Sequence, residues 1–481
     1  MAALLLGGAM APVLAADVKN LSVTVSSGTQ ANAYGGYTIE EGASALQNAL
    51  TLSGPAKVLG ASAGGWSRWG NAEWNTLTIR LDEDGLLGPS DIVGGGVAES
   101  EGGGAAVHNT VYIESGTVEG TVEGGVAVGI NGVGDGTGDV LSNQVTMSGG
   151  TVYSVFGGET GEGNANDNVV TIKGSAAVTG KSNAVYGGYT IDGNASGNIV
   201  NIEDDADIHG EIMGGYTRAG SLISGNKVNV TGGNVNENTV YGVYTAYGDV
   251  LDNQAVIKGT GQAGSSDTNS VYAGFTNIGA AAGNILYIQD SAEIAGSAFA
   301  GYQGGFISSE TVERNQVFMS GGSVGGDLTG GGSNNGGETL NNYVEITGGT
   351  VSGNVYSGFT DSADALENTL TVAGGRVEGS LFGGYSNTGT ANENKLTFSA
   401  GTAGSDAYGG YAQEGADGNE AVLSGTSVLE GNAAGGSSAR GEASGNSLTI
   451  KENSEVKGDA AGGDVYMGTI SKNIITIQYN A

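Results

Sequence analysis

The chain has 481 residues, of which 94 are glycine and none is cysteine, and its 50 acidic against 16 basic residues leave a net charge of −34. A surface this acidic, with its few Lys and Arg scattered, repels phosphate and excludes nucleic acid as a partner, and the missing cysteine excludes disulfides, Cys–His chemistry and zinc sites of the usual spacing. Charged residues are only 14% of the chain and apolar residues recur regularly, so it is not a disordered acidic tail; the charge keeps it soluble or attracts divalent cations weakly.

In chain order, residues 1–16 come first. Their apolar stretch AALLLGGAMAPVLAA ends in Val13-Leu14-Ala15 and reads as a secretory signal peptide without a basic start, since no Lys or Arg precedes Lys19. The alternative is a hydrophobic first cap. Residues 17–95 form an atypical N-terminal part that holds Trp66, Trp69, Trp74, Pro55 and Pro89. Terminal coils must cover an open core, so a capping role is expected there ahead of an aromatic binding site.

From residue 96 to 481 the repeat is regular, and its main marker reaches back into the earlier part. Asn, any residue, apolar, any residue, apolar occurs sixteen times, at Asn48, Asn75, Asn109, Asn143, Asn168, Asn198, Asn226, Asn253, Asn284, Asn315, Asn342, Asn368, Asn394, Asn419, Asn446 and Asn473. The mean period is about 28 residues, which predicts a solenoid whose coils bury their faces against their neighbours. Between markers, Val, Ile, Leu, Tyr and Thr alternate at period two, so the chain reads as all-β with almost no helix. In Asn143-Gln144-Val145-Thr146-Met147 the asparagine lies on the core side with Val145 and Met147. Identical amides in successive coils, one strand spacing apart, then satisfy one another as a ladder.

Turn residues follow each asparagine strand, as in SGGTV (148–152), TGGNV (231–235) and AGGRV (373–377), where glycine permits positive φ. A second short strand comes next, then an aromatic and Gly-Gly segment read as a corner, as in VYGGYT (185–190), VYGVYT (240–245) and VYSGFT (355–360). Its first small residue stands 11 positions before an asparagine, as Gly187 does before Asn198 and Gly242 before Asn253. A third segment returns to the asparagine. The expected coil is a triangle of three strands, and sixteen coils predict a stack of roughly 75 Å. Paired aromatics such as Tyr186 with Tyr189 and Tyr241 with Tyr244 should have opposite parity, one in the core and one on the surface; they either stiffen the stack or offer a carbohydrate-stacking surface.

Outward threonines at Thr51, Thr78, Thr146, Thr171, Thr371, Thr397, Thr449 and Thr476 occupy only half the coils, and Tyr112, Tyr287, Phe318 and Glu345 interrupt them. An ice-binding array is therefore not expected. Longer excursions at 80–93, 126–142, 258–270 and 303–314 are where a solenoid places specific contacts. The chain stops eight residues after Asn473 without a visible cap, which predicts a fragment or continuation into another domain.

The repeat, as it stands in 348–375 and 373–401, resembles the passenger regions of bacterial autotransporters, the type V secreted proteins of Gram-negative outer membranes. The resemblance implies a right-handed parallel β-helix, displayed at the cell surface and outer membrane or secreted. It also implies a C-terminal membrane barrel, which these residues do not contain, and host or bacterial surface glycans or proteins as partners. Passengers may be adhesins, enzymes or stalks. No catalytic, cofactor or metal residues are assigned: His108 and His209 are isolated, and no serine-nucleophile context appears. Glu203-Asp204-Asp205-Ala206-Asp207 beside His209, Asp82-Glu83-Asp84-Gly85 and Asp135-Gly136-Thr137-Gly138-Asp139 read as solvated corners first and weak calcium sites second. The expected function is a non-enzymatic adhesin or structural stalk; the alternative is a β-helix that binds or cleaves polysaccharide with paired carboxylates.

Overall fold

The computed structural model describes residues 17–478 except 90–91, 100–102, 130–134, 183, 237, 265–270, 306–308 and 335. The signal-like segment 1–16 and parts of all four excursions lie outside the described residues. The chain divides into two compact units, 1–238 and 239–481, each a stack of parallel β-coils, and no α-helix occurs among the described residues. Together they carry about sixteen turns, as the asparagine count predicts.

In the first unit one coil runs through strands Ala49–Gly54, Lys57–Val58, Ser62–Ser67 and Ala72–Glu73 before reaching Asn75. In the second, Ile285–Ile288, Glu293–Ile294, Ala298–Gln303 and Val312–Glu313 lead to Asn315 in the same way. Equivalent positions pair in parallel register, Val145 with Val170 and Met147 with Ile172 in the first unit, Leu286 with Val317 and Ile288 with Met319 in the second. These apolar residues are 0–1% exposed and form the core. The third strand of the coil corrects the reading of the Gly-Gly segment as a corner. The Gly-Gly pair lies inside the coil's six-residue strand, as in Val185–Thr190 or Leu381–Ser386, and not at a corner.

The asparagines explain why. In the first unit Asn48 Nδ2 donates to Asn75 Oδ1 at 3.0 Å, and the chain of amides continues through Asn109, Asn143, Asn168 and Asn198 to Asn226 at 2.9–3.1 Å. In the second, Asn253 donates to Asn284 at 3.0 Å and Asn284 to Asn315 at 2.9 Å, and the ladder runs on to Asn473. Each oxygen also accepts a backbone N–H, as Asn315 Oδ1 does from Asn284 N at 3.0 Å, and each amide nitrogen also donates to a carbonyl, as Asn284 Nδ2 does to Val250 O at 3.1 Å. Both donors and both lone pairs are used, which is what a side chain 0% exposed requires.

Two backbone features serve this ladder. The residue before each ladder asparagine has positive φ whatever its side chain: Trp74 (58°), His108 (56°) and Asp167 (57°) in the first unit, Arg314 (53°), Glu367 (55°) and Lys472 (55°) in the second. A non-glycine residue there costs about 1–2 kcal/mol, so the conformation is imposed by the turn that aims the asparagine inward. The second glycine of each pair faces the amide directly. A Cβ built on Gly125 would stand 2.6 Å from Asn143 Nδ2, and one on Gly274 2.6 Å from Asn284 Nδ2. Glycine is therefore the usual residue where the amide crosses the strand, with Val243 at the register position of Gly274 as an exception. The turn glycines after the asparagine strands behave as expected, with positive φ at Gly150, Gly233, Gly322, Gly349 and Gly375.

Replacing Asn284 with Ala orphans Asn253 N, one Asn253 Nδ2 hydrogen and Val250 O, and is expected to lower stability by on the order of 3 kcal/mol. Gly274→Ala overpacks the same point and should cost about 1–3 kcal/mol. Hydrogen exchange will show both losses confined to the coils around Asn284; uniform loss of protection across the second unit would contradict nearest-neighbour stabilisation.

Candidate functional site

A Gly-Gly strand cannot alternate strictly, because its two central residues both sit against the amide ladder. Val185 and Thr190 are 0% exposed on the inner side, while the rings of Tyr186 and Tyr189 meet each other at 5.4 Å. The expected opposite parity of the aromatic pairs is therefore wrong: both rings leave the same side of the strand, where Phe156, Tyr189 and Tyr216 pack against Tyr186 and leave it 1% exposed. Each coil presents two outward positions, and parallel register stacks them into two columns.

In the second unit the columns make two tiles of six rings. Tyr241, Tyr272 and Phe299 stack at 5.3 and 4.9 Å, and beside them Tyr244 stacks on Phe275 at 5.1 Å. Further along, Tyr356, Phe382 and Tyr408 stack at 5.0 and 5.7 Å, next to Phe359, Tyr385 and Tyr411 at 5.5 and 5.3 Å. Rings of one column are nearly parallel, 8° for Tyr244 with Phe275, whereas partners within a coil are nearly perpendicular, 78° for Tyr272 with Phe275. This herringbone places ring faces against other rings. The interior of a tile therefore has little free aromatic face for a sugar. Between the tiles, strand Leu328–Ser333 carries Thr329 and Gly332 at the ring positions. Tyr302 leans over that gap, tilted 30° to Phe275 instead of stacking flat.

Amides and carboxylates flank the tiles. Asn354 Nδ2 donates to Tyr356 Oη at 3.0 Å and Asn277 Nδ2 to Tyr244 Oη at 3.2 Å, while Tyr408 Oη donates to Asp406 Oδ2 at 3.2 Å. Burial raises the phenol pKa values of Tyr302, Tyr356 and Tyr408, and the nearby Asp361, Asp327 and Asp406 carboxylates add to the effect. The rings stay neutral hydrogen-bonding groups.

The first unit carries the same two columns with acids set into them. Tyr34, Ala63, Gly94, Glu123, Phe156 and Tyr186 follow one another in register; beside them run Tyr37, Trp66, Val97, Val126, Glu159 and Tyr189. Trp66 packs with Ala63, Val97, Val126 and Val128, and its Nε1 donates to Glu99 Oε1 at 2.7 Å. Glu123 is 1% exposed. Glu159 is partly exposed as a residue, but burial of its carboxyl raises the pKa to about 8. Its neighbour Tyr189 is pushed up to about 12, by burial first and then by the Tyr216 and Glu159 charges.

The structure scatters the other sequence candidates. Asp204 takes the positive-φ corner that glycine fills elsewhere (56°), and its Oδ2 accepts Gly174 N of the preceding coil at 3.1 Å. Asp207 lies 2.8 Å from His209 Nε2, an exposed pair. Asp82 accepts Asp84 N at 3.1 Å within its own turn, and Asp139 accepts Asn164 N at 2.9 Å. Among the described residues no three His, Cys, Asp or Glu side chains come together in a way that could hold a metal. His108 stacks on the exposed Trp74 at 4.2 Å, so Trp66 and Trp74 do separate work, one on the Gly-Gly face and one at a corner. Glu123 and Glu159 carried no sequence signal, because their place among the rings appears only when Gly-Gly positions are aligned coil against coil.

Comparison with protein-family models, with curated proteins and with solved structures finds no match to this chain.

With the folded pKa raised from 4.5 to about 8, the folded state holds a proton on Glu159 that the unfolded chain releases. That contribution is fully present below pH 4.5 and is lost as the pH rises to 8. Glu159→Gln should raise stability at neutral pH by on the order of 1–3 kcal/mol and flatten this part of the stability profile. Urea titrations of both proteins between acidic and mildly alkaline pH read it directly; parallel profiles would show Glu159 to be ionised in the folded state.

Proposed function

We propose that the chain is the passenger region of an autotransporter, displayed on or released from a Gram-negative cell, and that it acts without catalysis as an adhesin or stalk. One observation supports this above others: the buried asparagine of each coil is satisfied by its neighbouring coils, through the ladder from Asn48 to Asn226 and again from Asn253 to Asn473. Such a chain can be threaded across a membrane unfolded and then fold coil by coil, with no disulfide to form. Its outward faces, free of the ladder's constraint, are where contacts with surface glycans or proteins belong. The acidic charge keeps the exposed coils from associating with each other and with anionic surfaces.

A second reading has its own support. A carboxyl whose pKa burial raises beside an aromatic ring, as at Glu159 beside Tyr189, has the chemistry of a general acid on a glycosidic oxygen.

Display of residues 17–481 on a host cell through an unrelated membrane barrel discriminates these readings. The expected result is new adhesion to mucin, host cells or sister bacteria, unchanged by Glu159→Gln. Release of reducing sugars from a polysaccharide panel, abolished by Glu159→Gln, would replace the adhesive reading with the enzymatic one. Display with neither adhesion nor cleavage would leave only the stalk.

A further inference from the structure

The outward side of the asparagine strands differs from the Gly-Gly face. Its rings are few, and one stack ends abruptly. In the second unit Tyr287, Phe318, Glu345 and Thr371 succeed one another in register at the same outward position of four consecutive coils. Tyr287 and Phe318 stack at 5.3 Å and 18°. The next position holds a carboxylate where the stack would need a third ring. Tyr343, one alternate position away on the same face, meets Phe318 at 5.9 Å and 54°, forming a wall instead of a continuation.

Next to this column lies a second one at the turn, made of Gln289, Ser320 and Thr347. Between the two is a depression of about 210 Å³ lined by these three residues together with Tyr287, Phe318 and Glu345. Phe318 is half-buried, Ser320 and Thr347 are exposed, and the buried Met319 belongs to the floor. An aromatic ring stacked on Tyr287, with the Glu345 carboxylate in register on its other side and Gln289, Ser320 and Thr347 along the neighbouring column, makes an amphipathic surface. It matches a ligand that has an apolar C–H face and a rim of hydroxyl groups.

We propose that this depression is a binding subsite for one neutral pyranose residue of a surface polysaccharide. The sugar's C–H face lies on Phe318. A hydroxyl donates to the Glu345 carboxylate, which keeps acceptor capacity beside its hydrogen bond with Tyr343, and others exchange hydrogen bonds with Gln289, Ser320 and Thr347. Anionic sugars are disfavoured twice, by Glu345 and by the net charge of −34. The threonine at the same register position one coil on, Thr371, shows that the fold tolerates a small polar residue there. The proposal rests on the reading of the chain as a glycan-contacting passenger, and names where one such contact is made.

The experiment uses the whole chain and three probes, the methyl pyranosides of glucose, galactose and mannose, observed by saturation-transfer NMR, with a sulfated disaccharide as the anionic control. Transfer to the ring C–H protons of at least one neutral probe, and none to the control, is expected. Phe318→Thr should weaken it by about fivefold and Glu345→Gln should weaken it while leaving the same C–H pattern, with melting temperatures unchanged for both variants. No transfer from any neutral probe, or transfer equal in Phe318→Thr, overturns the subsite. Adhesion of the same proteins to immobilised polysaccharides separates the two claims: adhesion retained by Phe318→Thr removes this subsite but not the glycan-contacting reading, and no adhesion by the wild type removes that reading as well.

Discussion

A buried amide with four hydrogen-bonding valences is the constraint on which the coil depends. An asparagine 0% exposed has no water to turn to, so its oxygen and nitrogen must each find two partners in the neighbouring coils. They can do so only if the next asparagine stands one strand spacing away with its side chain in the same orientation. That requirement fixes where each coil returns, whether 25 or 34 residues separate the asparagines, and accounts for the left-handed backbone just before each, adopted even by Trp74 and Arg314. It also requires the facing strand to come close enough that a Cβ on Gly125 or Gly274 would strike the amide.

The outer surface follows from the inner one. Two successive inward positions, both occupied by small residues, interrupt the alternation of the Gly-Gly strand, and the residues on either side therefore emerge on the same outer face. Rings placed there meet within a coil as well as between coils, which produces the herringbone of Tyr272, Phe275, Phe299 and their neighbours. Side chains at these positions are not required by the ladder. Thr329 and Gly332 replace the rings in one coil, and Glu123 and Glu159 replace them in others, without loss of register. These differences between coils change the outer surface while leaving the ladder intact.

Charge is distributed by the same logic. Several acids double as corner devices: Asp204 accepts a backbone N–H from the preceding coil, and Asp290 does the same for Gly259 N at 3.1 Å. An acidic run that looks like a cation site in a linear reading is thus divided between a turn and a surface pair. Glu159 is the contrary case, an acid moved off the corners and into an aromatic column, where burial raises its pKa.

The sequence by itself determined the β-solenoid, the number of turns, the inward asparagines and the glycine corners after their strands, because each depends on a short pattern repeated sixteen times. The fixed distance from the Gly-Gly pair to the asparagine was equally visible, but its meaning was not. Reading VYGGYT as a corner, with Tyr186 inside and Tyr189 outside, follows from strict alternation in an isolated strand. Only the tertiary structure shows that Gly188 faces the amide of Asn198 while Gly187 is pressed against the backbone at Gly214, so that alternation fails and both rings turn outward. The left-handed residue before each asparagine was hidden for the same reason: Gln47, Trp74, Asp167 and Lys472 share no chemistry. They share a position, and what makes the position special is the neighbouring coil.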